Sequence, residues 1–461
     1  MKRGEFTLSS AWTSNSIVAL RGPRKMTAAS HDSMEQPDTP CILARQEHPI
    51  SRKDIDPDAL KILYRLYNHG FTAYLVGGCV RDLLLGKTPK DFDIATDAHP
   101  RQVRDLFRNS RLIGHRFRLA HVYFPGGKYI EVSTFRRRSE FDEAGQEISP
   151  ASDNTFGTPA EDALRRDITI NGIFYNIADF TLVDYVRGLG DLRQGIIRCI
   201  GDPEEKFVQD PVRMIRVIRH AARTGFRIEE NTYQSLTAHG EKIRLCSPAR
   251  VRDEFLRELR EGSAKESMRW MTETGLFYAL FPSLALPLQE EGRREYFLNS
   301  MGALDRLRLA EDPLSDDFYL ALFLLPFLDF FCPAEEFPGG RQGQADFHLK
   351  VREWLVHTLG PFPFTRHSRE SAVQLLASQR LFREFAPLGK LPFRLVRRPD
   401  FSQALHLFEL GAQVRGEEVP RFSWPLQEKK PFRRRRKRRI RKKGRREAGG
   451  PPTTAGPAPG V

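Results

Sequence analysis

The sequence predicts an α+β protein: a small head domain on a mixed sheet, followed by an all-helical neck and body. Short apolar strands broken by glycine alternate with short helices in the first half, and apolar residues then recur at helical spacing. Both ends lack such a pattern, so we expect disorder there. The predicted segments are a disordered N-terminal extension (1–48), the head (49–200), the neck (201–262), the body (263–428) and a disordered basic tail (429–461).

Charge along the chain is uneven. The 461 residues are 40% hydrophobic and 29% charged, which is typical of a globular protein. The net charge is +14, and residues 429–446 alone hold 14 Lys and Arg with no acid, so the rest of the chain is balanced. So dense a basic run predicts a solvated tail that binds polyanions and loses affinity as salt rises. Alternatives are a role in solubility or localisation, or attraction to a membrane surface.

The cysteine pattern bears on the compartment. An odd number of cysteines without CxxC spacing predicts a reducing compartment, the cytoplasm, and argues against structural zinc. The longest apolar run, residues 318–328, is too short to span a bilayer and predicts a buried helix. The cysteines are Cys41, Cys79, Cys199, Cys246 and Cys332.

The most informative stretch is residues 73–98. Ala73 to Val76 is an apolar strand that ends at a Gly-Gly turn, and a short helix over 80–85 follows. Asp91 and Asp93 lie on the next predicted strand two residues apart, so their carboxylates should point to the same side. Two adjacent carboxylates repel unless cations lie between them. Mg²⁺ is commonly held by one or two carboxylates together with substrate phosphates.

The turn at Gly77 and Gly78 suggests a second half for this site. A backbone without Cβ atoms can approach a triphosphate closely, and the N-terminus of the next helix favours negative charge. Arg81 could form a bidentate contact with phosphate oxygens. A lone Gly-Gly is usually only a turn, and a lone DxD is usually a solvated loop. In this order and spacing they predict nucleotidyl transfer assisted by two metal ions.

The rest of the head adds helices over 56–69 and 100–108 and strands within 111–124 and 126–138. Glu131 is an unusual acid in an apolar strand; an exposed edge position is the alternative to a role in the site. Residues 139–158 form a loop too long for a simple connection. Residues 183–203 read as a hairpin-like strand pair broken by glycines.

Two charged clusters follow. Arg165 and Arg166 are paired cations beside the candidate phosphate site, and Asp167 and Asn171 could bond a ribose hydroxyl. The second cluster lies farther along the chain, and its residues are spaced by three, so they share one face of a predicted helix. Three of its four residues are arginines, and a row of cations is costly without an anionic partner. For either cluster taken alone, a solvated helix face is the commoner explanation. The second cluster comprises Asp210, Arg213, Arg216 and Arg219.

Taken together, these motifs carry a family resemblance. The run VGGCVRDLLLGKTPKDFDIATDA resembles the head signature of the polymerase-β-type nucleotidyltransferases that include bacterial poly(A) polymerases and CCA-adding enzymes. Residues 165–171 match that family's RRDxTxN motif, and residues 209–213 resemble its EDxxR motif, with Gln209 in place of Glu. The resemblance covers about residues 60–260 and implies a nucleotidyltransferase head followed by a helical RNA-binding body.

The resemblance also implies roles for individual residues. Asp91 and Asp93 would hold two Mg²⁺ ions, with Glu131 completing the metal-binding triad from a neighbouring strand as a third catalytic carboxylate. Asp210 and Arg213 would read the Watson–Crick edge of the incoming base. Nucleotide binding would involve Gly77, Gly78, Arg81, Arg165, Arg166, Asp167 and Asn171, with Arg216 and Arg219 as phosphate contacts.

One stretch distinguishes the two branches of the family. Residues 112–122, LIGHRFRLAHV, resemble the signature of bacterial poly(A) polymerases: Arg116, Phe117 and Arg118 fit, whereas His115 replaces the usual Arg or Lys. We therefore predict addition of AMP from ATP to RNA 3′ ends, with RNA also bound by the basic tail. The alternatives are a CCA-adding tRNA nucleotidyltransferase and a non-catalytic RNA-binding protein on the same scaffold.

Overall fold

The computed structural model describes residues 39–114, 119–137, 156–309 and 314–423. Most of the predicted N-terminal extension and the whole basic tail lie outside these ranges. So do most of the loop predicted over 139–158 and the branch-signature residues His115, Arg116, Phe117 and Arg118. Within the described part, a mixed sheet is followed by a large helical assembly, as the predicted α+β class requires.

The head is built on an eight-stranded sheet with the order β1-β8-β7-β2-β3-β6-β5-β4. Its described neighbours are antiparallel except β3 and β6, which run parallel. A separate two-stranded parallel ribbon joins β9 to β10. The strands are β1 Cys41–Leu43, β2 Ala73–Val76, β3 Asp93–Thr96, β4 Ser110–Ile113, β5 Leu119–Tyr123, β6 Tyr129–Thr134, β7 Ile173–Asn176, β8 Leu182–Asp184, β9 Ile196–Ile197 and β10 Arg227–Ile228.

Three helices share an apolar core with one face of this sheet. They are α1 (Pro57–Asn68), α2 (Gly78–Leu84) and α3 (Pro100–Leu106), and α1 and α3 begin with the proline that suits a first helical turn. Asp56 caps α1 by accepting from the backbone N–H of Asp58 at 2.9 Å. The shared core is built on alternate strand residues such as Leu75, Ile94 and Val132. The helices predicted over 56–69 and 100–108 are thereby confirmed.

The predicted hairpin over residues 183–203 is wrong. After β8 the chain forms the helix α5 (Gly188–Gln194). The carboxylate of Asp184, which is 2% exposed, accepts the backbone N–H groups of Val186, Gly188 and Leu189 and so satisfies the start of that helix. A Cβ at Gly188 would lie 2.2 Å from the Thr169 carbonyl oxygen. Gly188, which suggested a strand break, is therefore needed because the backbone at Thr169 packs directly against it.

The predicted disorder of residues 1–48 is wrong for the end of that segment. The strand β1 pairs antiparallel with β8, with Cys41 opposite Asp184. His48 is 5% exposed, and its Nε2 lies 2.8 Å from the carbonyl oxygen of Phe180. Strand pairing and this buried contact hold the segment against the sheet. The sequence pattern revealed neither the strand pairing nor the His48 contact, because polar residues are scattered through this segment.

The neck and body share one hydrophobic core, which begins with head residues such as Ile168 and Ile197 and runs to Leu410. The domain boundaries near 200 and 262 therefore stay predictions, since the core and the β9–β10 ribbon cross the first of them. The remaining head helix is α4 Pro159–Leu164. The neck and body comprise α6 Pro203–Gln209, α7 Val212–Thr224, α8 Glu230–His239, α9 Pro248–Arg260, α10 Ala264–Glu273, α11 Leu276–Leu280, α12 Glu291–Leu309, α13 Asp316–Leu324, α14 Leu328–Phe331, α15 Gly340–Leu359, α16 Arg366–Phe385, α17 Phe393–Val396 and α18 Phe401–Arg415.

The apolar run predicted as a buried helix is confirmed. Every residue of α13 from Phe318 to Leu324 is buried, and the Phe323 ring packs against the rings of Phe255, Phe281 and Phe297. Aromatic pairs at such separations add to the stability that burial provides. In the described ranges, no helix combines the length and the apolarity that crossing a bilayer requires.

Candidate active site

The parallel pairing of β3 with β6 places Asp93 directly opposite Glu131. Asp91 precedes β3 and is exposed. Burial, followed by the charges of Asp91 and Glu131, raises the pKa of Asp93 to about 7, while Arg166 opposes this rise. The three predicted catalytic carboxylates are thus near enough to interact, although Asp91 lies just outside the strand on which we expected it.

The donor chemistry of these carboxylates suits a hard divalent cation. Mg²⁺ prefers oxygen ligands such as carboxylates. Burial is the main cause of the raised pKa of Asp93, and a cation between Asp91 and Asp93 would relieve the repulsion that adds to it. No group of three or more His, Cys, Asp or Glu in the described part of the chain is already arranged to hold a metal ion. Glu131 Oε1 lies 3.2 Å from His121 Nε2. The Asp pair supplies the oxygen donors for a cation, and Glu131 lies opposite Asp93 while also contacting His121.

The glycine turn faces the same point. Gly77 has φ +79°, a conformation that favours glycine. A Cβ built there would lie 3.4 Å from Arg166 Nη1 and 3.6 Å from Asp93 Oδ2, so turn, cation and carboxylate converge. Helix α2 begins at Gly78, directly after this turn. Cys79 is buried and its thiol donates to the Val76 carbonyl at 3.2 Å, while burial raises its pKa to about 12, as expected of a filler rather than a nucleophile.

A buried aspartate positions the arginine pair. Asp162 on α4 is fully buried; its Oδ2 accepts from Arg166 Nη2 at 2.9 Å and its Oδ1 accepts from Arg165 Nη2 at 2.7 Å. Burial opposes its ionisation, but Arg166 and Arg165 outweigh burial and hold its pKa below the usual value. The sequence analysis missed Asp162, although its i,i+3 and i,i+4 spacing to the two arginines was a usable signal.

Arg81 does not have the role that we predicted from its position. The side chain is 2% exposed, its Nε and Nη2 donate to Asp82 Oδ1 at 2.9 and 2.7 Å, and its Nη1 donates to Asn171 Oδ1 at 2.8 Å. His220 of α7 completes the cluster, with Nδ1 3.3 Å from Arg81 Nη1 and Nε2 3.2 Å from Asn171 Nδ2. With all three guanidinium nitrogens engaged, this arrangement leaves no free fork for phosphate. The Asn171 side chain is engaged as well.

The remaining predicted nucleotide residues gather where head and neck meet. Asp167 Oδ2 accepts from Arg216 Nη1 at 2.9 Å, and Asp167 Oδ1 lies 3.3 Å from Arg213 Nε. Asp210 Oδ2 accepts from Arg250 of α9 at 3.0 Å. Asp210 Oδ1 and Arg213 Nη1 are buried and have no hydrogen-bond partner within the described ranges. An acceptor and a donor are therefore left unused side by side, while Gln209 is exposed at the end of α6.

The anionic partner of the cationic stripe is protein. Arg219 is 5% exposed and lies 2.6 Å from both Glu254 Oε2 and Glu258 Oε1 of α9. The predicted phosphate contact of Arg219 is therefore not supported, because a buried guanidinium held by two buried carboxylates joins α7 to α9. Arg216 also pairs with Glu254, at 3.1 Å, yet stays 36% exposed. Neither glutamate was singled out in the sequence, since the contact joins distant segments.

Comparison with known proteins agrees with this arrangement. The family model described as "Poly A polymerase head domain" matches residues 73–198, and the model described as "Probable RNA and SrmB- binding site of polymerase A" matches residues 225–286. A curated "Poly(A) polymerase I" of Salmonella typhi is 41% identical over 389 residues, 81% of this chain and 82% of the relative. The chain belongs to the poly(A) polymerase family. The Haemophilus influenzae "Poly(A) polymerase I" is 35% identical over 82% of this chain and 85% of the relative.

Members of the CCA-adding branch are similar over less of the sequence. The "CCA-adding enzyme" of Lactobacillus delbrueckii subsp. bulgaricus is 34% identical over 224 residues, 48% of this chain and 55% of the relative. A solved apo structure of a CCA-adding enzyme has a TM-score of 0.54 at 23% identity, covering 79% of this chain and 82% of that chain. That likeness shows that this chain has the same fold as the CCA-adding enzyme.

Proposed function

We propose that the chain is a template-independent polynucleotide adenylyltransferase that adds AMP from ATP to RNA 3′ ends. One observation carries the proposal: Asp93, Arg166 and Gly77 converge on one point, beside Asp91, in a chain 41% identical over 81% of its length to a poly(A) polymerase I. A glycine backbone and a cation suit a triphosphate, and paired carboxylates suit its metal ions. The predicted cytoplasmic location belongs to the same proposal.

Each residue then has a task in the reaction. Gly77 and Arg166 bind the triphosphate, and Asp162 holds Arg166 in orientation. Asp91 and Asp93 would hold Mg²⁺, which when bound neutralises phosphate charge and acidifies the attacking 3′-hydroxyl. Glu131 stands opposite Asp93 to assist this site. Arg165 supports the same anion-binding surface.

Base selection belongs to the junction between head and neck. The buried, unused acceptor Asp210 Oδ1 and donor Arg213 Nη1 can pair with the amino group and a ring nitrogen of adenine. Asp167 and Arg216 brace Arg213 from the side. Without a nucleic-acid template, fixed side chains must choose the base, and these two offer the mixed pattern that choice needs. Asn171, Arg81 and His220 join this junction to the turn at Gly77.

Poly(A) addition is favoured over CCA addition by how far the likeness extends. Similarity to the poly(A) polymerase of Salmonella typhi covers 81% of this chain, against 48% for the Lactobacillus CCA-adding enzyme. Both branches share the head, so the remainder carries the distinction. The alternatives of CCA addition and of RNA binding without catalysis are separated by the test that follows.

The test is extension of a labelled RNA oligonucleotide and of a tRNA lacking CCA, with each nucleoside triphosphate supplied alone and in mixtures. A ladder with ATP alone supports the proposal, two cytidines followed by one adenosine indicate the CCA enzyme, and no extension indicates a binding protein. We expect Asp93→Asn to lose at least about 10³-fold in rate while keeping its fold, because one of the two carboxylates expected to hold the cation is gone. Asp105→Asn is the control, since Asp105 is exposed on α3. Activity of Asp93→Asn within 10-fold of wild type contradicts the assignment.

A further inference from the structure

The sheet face that carries Glu131 also carries a row of aromatic side chains. Side chains alternate along a strand, so Tyr129 and Glu131 of β6 point to the same face. Register places His121 opposite Glu131 and Tyr123 opposite Tyr129, and Arg111 of β4 stands opposite His121. We call Arg111, His121, Tyr123 and Tyr129 the stacking face.

The rings of this face contact one another in sequence. His121 stacks on Tyr129 with centroids 4.2 Å apart and planes 14° from parallel, and its Nε2 reaches Glu131. The Tyr123 ring lies 6.0 Å from that of Tyr129, and the Arg111 guanidinium lies 5.6 Å from the Tyr123 centroid. The row therefore begins beside a carboxylate of the active site and ends at a cation on the edge strand.

The exposure of Tyr129 distinguishes this ring from ordinary sheet packing. Tyr129 is 48% exposed, whereas Ile130 and Val132, which point to the other face of β6, are 3% and 2% exposed. Cross-strand aromatic pairs stabilise a sheet, which explains the ring contacts. It does not explain why the outer side of Tyr129 is left open next to the catalytic carboxylates.

The position of Tyr129 relative to the catalytic carboxylates indicates which ligand the stacking face could bind. Because β3 and β6 are parallel and in register at Asp93 and Glu131, Tyr129 lies about 7 Å farther back along its strand, level with Asp91. An RNA whose 3′-hydroxyl reaches Asp93 must place its last bases within a nucleotide's length of that point. Flat aromatic faces and an arginine are what proteins use to hold single-stranded bases without regard to sequence.

We propose that the stacking face binds the terminal bases of the single-stranded RNA 3′ end, with the last base against Tyr129 and the backbone drawn towards Arg111. This rests on the proposed function, for which it supplies the primer subsite. Stacking tolerates any base, so the site accepts a varied RNA end and a growing adenylate tail alike. It also keeps the primer apart from the incoming base, which is read at Asp210 and Arg213.

The experiment compares Tyr129→Ala, Tyr129→Phe and the control Tyr67→Ala. Tyr67 is 47% exposed and lies on α1, which packs on the opposite face of the sheet. We expect Tyr129→Ala to raise the KM for an RNA primer about 10-fold, as stacking on one base is worth, with the KM for ATP within 2-fold of wild type. Tyr129→Phe keeps the ring and Tyr67→Ala lies elsewhere, so both should behave as wild type.

An abasic primer makes the test specific. RNA lacking its last two bases should bind wild type about 10-fold more weakly, and Tyr129→Ala should weaken it no further. If Tyr129→Ala binds normal RNA as wild type does, or weakens normal and abasic RNA equally, the proposal is overturned. Binding is measured by fluorescence anisotropy without ATP, so the stacking face is decided even if wild type extends no RNA and the proposed function fails.

Discussion

Replacing Asp162 by asparagine tests how the anion-binding arginines are held. The carboxylate is fully buried and bonds Arg165 and Arg166. An amide of the same shape keeps one acceptor and loses the charge. Hydrogen bonds to charged groups contribute about 1.5–3 kcal/mol each, and removing one partner of a buried ion pair costs about 3–5 kcal/mol. Both arginines retain some exposure and can be hydrated, so we expect a loss of about 3 kcal/mol.

The functional effect follows from the position of Arg166. Its Nη1 lies 3.4 Å from where a Cβ at Gly77 would stand, so its release disturbs the triphosphate site. We expect the KM for ATP to rise about 10-fold and the KM for RNA to stay within 2-fold. Urea unfolding followed by circular dichroism, together with steady-state kinetics, measures both effects, and Asp105→Asn is the control.

A double-mutant cycle isolates the contact. In an Arg166→Met background, Asp162→Asn should cost at least 1 kcal/mol less than in wild type, because one partner is already gone. A single variant within 1 kcal/mol of wild type, or one that is destabilised while its KM for ATP is unchanged, would refute the reasoning.

Two further predictions concern pH and the tail. Burial, and then Arg81, Arg219, Arg223 and Arg216, hold the pKa of His220 well below its usual 6.5, so the stability that neutral His220 supports is present above pH 6.5 and lost as pH falls. Between pH 6.5 and 5 wild type should lose up to about 2 kcal/mol more unfolding free energy than His220→Gln in urea titrations, and parallel profiles would contradict this. Deleting residues 429–461 should weaken RNA binding and flatten its salt dependence while sparing the rate at saturating RNA, and an unchanged salt slope would argue against the tail's role.

Local chemistry made much of the head predictable. The strand ending at Gly77, the capped helix after Asp56 and the strand with Glu131 follow from breakers, caps and alternation, which act over a few residues. The opposition of Asp93 and Glu131 was accessible only through the family resemblance, because parallel pairing joins segments 38 residues apart.

The contacts that sequence reasoning missed join segments far apart in the chain. Arg219 was interpreted as a phosphate contact because its partners Glu254 and Glu258 lie on another helix. Arg81 looked free because Asn171 and His220 approach it only after folding. A charge pattern on one helix shows that a counter-charge is needed. It does not show whether a ligand or the protein supplies it.

The core that begins at Ile168 and Ile197 and runs through the helical body makes the catalytic half a dependent part of the molecule. Cutting the chain near residue 200 would expose those isoleucines to water and separate β9 from β10. A chimera with a CCA-adding relative should therefore fold only when the junction leaves this shared hydrophobic core intact. The segment that must be exchanged as a whole is larger than the sheet that carries the carboxylates.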